Sequence, residues 1–212
     1  MHAPPPCTLE IDGISASYGA RIVFQHLTLT LRAGETLVVC GENGSGKSTF
    51  LRLLCGLQPP AAGTVRYHWQ GNRSAPRQAP HLIGWLSPDM ALYRELTGRE
   101  NLRFFAAVRG LPQRDNTHID AVLTMVGLAG RGDERVAGYS SGMVHRLRYG
   151  YALLHQPPVL LLDEPTVTLD ERGGEMVRRV IEQQRRAGIV VIATNDPREQ
   201  QFGDYVLTLG RG

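Results

Sequence analysis

Residues 41–48 read Gly-Glu-Asn-Gly-Ser-Gly-Lys-Ser. They match G-x-x-x-x-G-K-[ST], and they lie between an apolar run, Thr36 to Cys40, and a segment of helical character. This arrangement fixes a strand, a tight loop and a helix in that order. Glycines at 41, 44 and 46 let the backbone take positive φ and approach an anion closely. The loop N–H groups then form a concave anion site at a helix N-terminus, where the helix dipole also favours negative charge. Lys47 can reach the β- and γ-phosphates of a nucleotide, and the Ser48 hydroxyl suits Mg²⁺. Glu42, Asn43, Ser45 and Thr49 complete the candidate binding loop. A chance Gly-rich turn would not need the flanking strand and helix.

A second acidic element follows. Val159 to Leu162 is wholly apolar and ends in Asp163-Glu164. Asp163 is suited to the metal shell, which makes Ser48 and Asp163 the candidate metal ligands. Strand alternation turns Glu164 to another direction, where it can act as general base towards water. A strand ending in solvated acids is the bland alternative. Pro165-Thr166 directly after the pair strengthens the functional one.

The rest of the chain alternates strands and helices. Thr8 to Ser17 and Val23 to Leu31 alternate as strands, with Leu27, Leu29 and Leu31 on one face. A helix is expected from about Lys47 to Cys55, stopping at Gly56. A small hairpin with a loose loop is expected around Val65 to Trp69, and a strand over Ile83 to Leu86. Thr97 and Glu100 have capping-box spacing, so a helix is predicted from there to Arg109. Further helices are expected over Asn116 to Val126, Ser141 to His155 and Glu171 to Ala187. Ile189 to Thr194 is a third buried strand and Tyr205 to Leu209 a weaker last one. Residues 1–7 read as a frayed tail.

Composition narrows the function classes. With 212 residues, 42% apolar and 20% charged, the chain can bury a substantial core in one domain. The formal charge of +3 is too small, and too spread out, to argue for nucleic acid as a partner. Cys7, Cys40 and Cys55 have no metal-ligand spacing and fit a reducing compartment. No window approaches a membrane-spanning length, and the start M-H-A-P-P-P has no apolar signal core.

From about Leu9 to Leu209 the sequence resembles the ABC ATPase family. Two segments separate that family from other phosphate-loop proteins. Tyr139-Ser140-Ser141-Gly142-Met143 stands where the family has its L-S-G-G-Q signature, and Thr168-Leu169-Asp170 resembles its D-loop. The resemblance implies an α/β fold: a P-loop NTPase core with a mostly parallel sheet, a small antiparallel β-subdomain and an inserted α-helical subdomain. It implies one domain over 1–212, with about 1–89 and 157–212 as core and β-subdomain and about 90–156 as helical subdomain. Ser140, Ser141 and Gly142 would close over the γ-phosphate held by a second copy, most simply in a homodimer. Tyr18 stands where an aromatic stacks on adenine. Ile83 to Asn101 resembles the Q-loop segment that faces a membrane subunit.

The pattern is broken in three places. Ser87-Pro88-Asp89 stands at the Q-loop glutamine, where Asp89 can offer an oxygen. Asn195 stands at the switch histidine; its amide can donate to a phosphate but cannot carry charge. Ser141 and Met143 replace a glycine and a glutamine of the signature. The expectation is an ATPase using ATP and Mg²⁺, with Glu164, Lys47 and Asn195 in catalysis. It would power a polytopic permease from the cytoplasmic face of the cell membrane. A soluble non-transport ABC ATPase and a low-turnover nucleotide-sensing module are the alternatives. A short chain and the S-S-G-M segment resemble export systems, the haem-exporter type among them.

Overall fold

The computed structural model describes residues 7–111 and 116–210. The tail expected over 1–7 lies outside them except for Cys7, which is no tail residue. It is fully buried, and its carbonyl accepts from Ala33 N–H at 2.9 Å.

Two sheets carry the fold. The antiparallel sheet contains β1 (Thr8–Tyr18), β2 (Arg21–Arg32), β4 (Ala62–Trp69) and β5 (Asn72–Ser74), in the order β2-β1-β4-β5. The parallel sheet contains β3 (Thr36–Cys40), β6 (Ile83–Leu86), β7 (Val159–Asp163), β8 (Ile189–Thr194) and β9 (Tyr205–Thr208), in the order β6-β7-β8-β3-β9. The helices are α1 (Lys47–Leu54), α2 (Gly98–Val108), α3 (Asn116–Met125), α4 (Ser141–Leu153) and α5 (Glu171–Arg185). The expected hairpin at Val65 to Trp69 is present. It is not a separate unit, because β4 continues the sheet through β1, with Leu9 opposite Tyr67 and Ile11 opposite Val65.

The parallel strands β3, β6, β7 and β8 are largely buried on both faces, which is why they read as apolar runs instead of alternating, while the edge strand β9 is mostly exposed. Val38, Cys40, Leu160, Leu162, Val190 and Ile192 face one core, shared with α2 to α5. Their neighbours Leu37, Val39, Leu161, Val191 and Ala193 face a second core, shared with α1 and the antiparallel sheet. Phe50, Leu51, Leu53 and Leu54 make α1 apolar enough to lie between the two sheets. Tyr67 Oη donates to Leu54 O at 2.9 Å and anchors its end. The base of the P-loop is therefore held by both sheets.

The predicted capping box is formed. Thr97 Oγ1 accepts from Glu100 N–H at 3.1 Å, and Glu100 Oε2 accepts from Thr97 N–H at 2.8 Å. Buried Asn101 then ties down the preceding loop through the N–H and carbonyl of Tyr93, each at 2.9 Å.

His155, after α4, is packed with its Nε2 3.2 Å from both Ile83 O and Arg109 Nη1. Burial, reinforced by the Arg109 charge, lowers its pKa to about 4. The folded state thus keeps the ring neutral, while the unfolded chain protonates it near pH 6.5. The stability this gives is complete above about pH 6.5 and is lost progressively as pH falls towards 4. Denaturant unfolding of the wild type and His155→Gln across pH 4–7 should show the difference: only the wild type takes up roughly one extra proton on unfolding in that window. Parallel pH profiles for the two would contradict this.

Candidate active site

The loop between β3 and α1 takes the conformation its glycines permit. Gly46 has φ 103° and caps α1, its carbonyl accepting from Phe50 N–H at 2.8 Å. A Cβ there would run into the Val23 side chain from β2. Lys47 is buried, and its ammonium donates to Gly41 O at 2.7 Å and Glu42 O at 3.1 Å.

This loop forms one wall of a cavity of about 700 Å³. Asn43, Gly44, Gly46, Lys47, Ser48 and Thr49 line it from the loop and α1. Asp163 and Glu164 line it from the end of β7. Asp163 lies beside Ser48; burial raises its carboxyl above the usual range and the Ser48 hydroxyl pulls it partly back. A serine hydroxyl beside a carboxylate at a phosphate loop fits Mg²⁺, which takes few protein oxygens and completes its shell with water and phosphate.

Glu164 departs from the sequence argument in its backbone. It lies beyond the last strand residue, with φ 50°, so its direction comes from a left-handed turn and not from strand alternation. Its N–H still bonds Ala193 O at 2.8 Å, and burial raises its carboxyl above the usual range. Both carboxylates consequently reach one cavity.

Tyr18 lines the mouth, half exposed. Its hydroxyl bonds Thr49 Oγ1 at 3.1 Å and Gln58 Oε1 at 3.0 Å. Val23 and Arg21, also on the wall, were missed in the sequence. Arg21 Nη2 donates to Gly44 O at 3.2 Å, placing a cation beside the loop; its only sequence signal is its position three residues after Tyr18. Arg52 and Asp89 pair at 3.4 Å on the same wall, so the segment at the Q-loop position brings a carboxylate into the cavity.

Asn195 and Glu42 line a neighbouring cleft of about 610 Å³ instead. The two clefts meet at Asn43. Asn195 Nδ2 lies 3.3 Å from Asn43 Oδ1, and its N–H lies 3.5 Å from Glu164 Oε2. Gly41 is at the base of that second cleft, and Ser45 is buried within the loop.

Ser140, Ser141 and Gly142 line neither cleft. Ser140 caps α4, accepting from Met143 N–H at 3.2 Å, and both serines are exposed. A Cβ at Gly142 would sit 3.3 Å from Thr168 O, so the signature segment lies against the D-loop-like turn. Asp170 ends that turn as the α5 cap and pairs with Arg146 of α4 at 2.8 Å.

A family profile described as ABC transporter matches residues 24–167. The chain belongs to the ABC transporter ATP-binding family. It is 34% identical over 199 residues to the cytochrome c biogenesis ATP-binding export protein CcmA of Vibrio cholerae, covering 92% of this chain and 93% of that protein. It is 33% identical over 195 residues to the linearmycin resistance ATP-binding protein LnrL of Bacillus subtilis, covering 91% of this chain but 62% of that one. Against a Nod factor export ATP-binding protein I of Sinorhizobium fredii it is 37% identical over 170 residues, 80% of this chain and 50% of the relative. The chain thus spans half to about three-fifths of the last two. A solved ATP-binding subunit of an ABC transporter superposes with a TM-score of 0.80 at 26% identity, covering 95% of this chain and 85% of that one. The expected ABC ATPase fold is the one observed.

The Gly46 geometry gives a direct check on the loop. Gly46→Ala should lower unfolding free energy by about 1–3 kcal/mol, from the left-handed φ and the Val23 contact together. An unchanged urea midpoint would contradict the conformation described.

Proposed function

We propose that this chain binds and hydrolyses ATP as the energising subunit of a transporter, working with a separate polytopic membrane permease and a second copy of itself. The observation that carries the reading is the convergence of the loop amides, Lys47, Ser48, Asp163 and Glu164 on one cavity with Tyr18 at its mouth. No helix among the described residues is long and apolar enough to cross a membrane. Attachment at the cytoplasmic face would come from the permease. The word export in the names of CcmA and the Nod factor relative supports an exporter.

In this reading the amides of residues 43–48 and the Lys47 ammonium hold the β- and γ-phosphates, while Tyr18 stacks on adenine. Ser48 and Asp163 would hold Mg²⁺, which neutralises phosphate charge when bound. The Glu164 carboxylate accepts a proton from water as the water oxygen bonds to the γ-phosphorus. The bond from that phosphorus to the β,γ-bridging oxygen breaks, giving ADP and phosphate. Asn195 donates an amide hydrogen towards a γ-phosphate oxygen. Positioning and electrostatics of this kind carry most of phosphoryl-transfer catalysis.

The exposed Ser140–Gly142 cap supports the second half of the reading. Within one chain it faces outward and reaches no phosphate, so it acts on the nucleotide of the partner copy. The retained Glu164 favours turnover over pure sensing. The amide at 195 predicts slower hydrolysis than a histidine would give.

Glu164→Gln should bind ATP and dimerise with it, while phosphate release falls by about 100-fold or more. Turnover should rise with pH through a carboxylate limb displaced upward by burial of Glu164, with no step near pH 6.5 contributed by position 195. Asn195→Ala should slow turnover further without changing that limb. Normal phosphate release from Glu164→Gln would remove it as the base, and an unaffected Asn195→Ala would remove the amide role.

A further inference from the structure

Glu199 lies in a short 3₁₀ segment, Pro197–Phe202, immediately after the turn that carries Asn195. It is 3% exposed. A carboxyl so buried is ordinarily matched by a cation or by a full set of donors. Thr166 Oγ1 donates to Glu199 Oε1 at 2.5 Å. Its Oε2 is buried without a hydrogen-bond partner among the described residues. Burial raises the carboxyl above its ordinary range, and the nearby Thr166 and Thr194 hydroxyls only partly offset this. For stability alone, an apolar side chain would serve better at such a place.

What Thr166 is attached to suggests the reason. It lies two residues after Glu164, in a turn with left-handed non-glycine residues at both ends: Glu164 at φ 50° and Thr168 at φ 64°. Conformations of this kind persist only where the surroundings hold them. Two restraints come from α4, since His145 Nε2 and Tyr149 Oη both bond Pro165 O at 3.0 Å. Glu199 supplies a restraint on the following residue, Thr166, from a different segment of the chain. Because it also continues from Asn195, through Glu199 N–H to Asp196 O at 3.1 Å, its carboxyl joins the turns on either side of the reacting centre.

We propose that Glu199 is a positioning residue for hydrolysis, a buried clamp that fixes the Glu164 turn against the Asn195 turn through Thr166. It touches no nucleotide, and it sets the separation between the water-activating carboxylate and the phosphate-facing amide. The proposal rests on the ATPase reading above. Its effect should therefore fall on turnover, not on ATP affinity.

The test uses the full chain, with ATP affinity, steady-state phosphate release and thermal unfolding measured for Glu199→Ala, Glu199→Gln and Thr166→Val. Glu199→Ala should lose about 10- to 100-fold in kcat, the cost of a small misplacement, with ATP affinity within about threefold of wild type. Glu199→Gln keeps an acceptor for Thr166 and should recover most of that loss. Thr166→Val breaks the same bond from the other side and should lower kcat similarly. The double variant Thr166→Val/Glu199→Ala should be no slower than Glu199→Ala alone. Wild-type kcat in Glu199→Ala, a parallel fall in kcat and affinity, or a Gln variant as slow as the Ala variant would each overturn the clamp. If Glu199→Ala does not unfold cooperatively, Thr166→Val decides: unchanged kcat there overturns the proposal. A wild-type chain that releases no phosphate would overturn the ATPase reading and the clamp with it. Active wild type with equally active variants would overturn the clamp alone.

Discussion

The structure depends on an anion site made of backbone. Amide groups of the loop from Gly41 to Ser48 can converge on a phosphate only if the end of β3 and the start of α1 are held at a fixed angle. Most of the fold serves that requirement. The parallel sheet fixes β3 between β8 and β9, and α1 is enclosed between that sheet and the antiparallel one. Val23 closes against Gly46 from β2, so the antiparallel sheet shapes the loop directly. The core on the opposite face of the parallel sheet holds α4, and the end of β7 brings Asp163 and Glu164 to the same cavity.

The two phosphate-facing elements of the family are linked inside one chain without meeting there. The α4 helix begins at the exposed Ser140 cap and, a turn and two turns later, bonds Pro165 O through His145 and Tyr149. A displacement of the cap by a partner's nucleotide would thus be felt at the residue after Glu164. His145 stands in the signature helix as a neutral donor, its pKa lowered by burial. The departures at 88, 89 and 195 leave this linkage in place. In the proposed ATPase cycle they would replace two uncharged or switchable partners with the Asp89 carboxylate and the Asn195 amide.

Much of this was legible in the sequence where the cause is local. The strands at 36–40, 83–86, 159–163 and 189–194 declare themselves because burial on both faces confines polar residues to their ends. The Thr97 capping box and the glycines of the loop are chemistry of a few adjacent residues. Motif and order likewise point Lys47, Ser48, Tyr18, Asp163 and Glu164 to one site, and all five line one cavity. What escaped depends on residues distant in sequence. Cys7 looks like tail until β1 and the Ala33 turn enclose it. The β1–β4 pairing joins segments with no shared pattern. Strand alternation assigns Glu164 its direction in the sequence, but that direction is set by a left-handed turn held by contacts with distant segments, among them Ala193, His145 and Tyr149. Arg21 and Glu199 carry no motif, and their roles appear only once the chain has brought them to the loop.

The central claim is that backbone amides of this loop grip the triphosphate. Two-dimensional NMR of the ¹⁵N-labelled chain, titrated with Mg²⁺ and a non-hydrolysable ATP analogue, tests it most directly. The account predicts that the amides of Gly44, Gly46, Lys47 and Ser48 show the largest shifts, and that Lys47→Ala abolishes them. Saturable binding of the analogue with those four amides unmoved would contradict it.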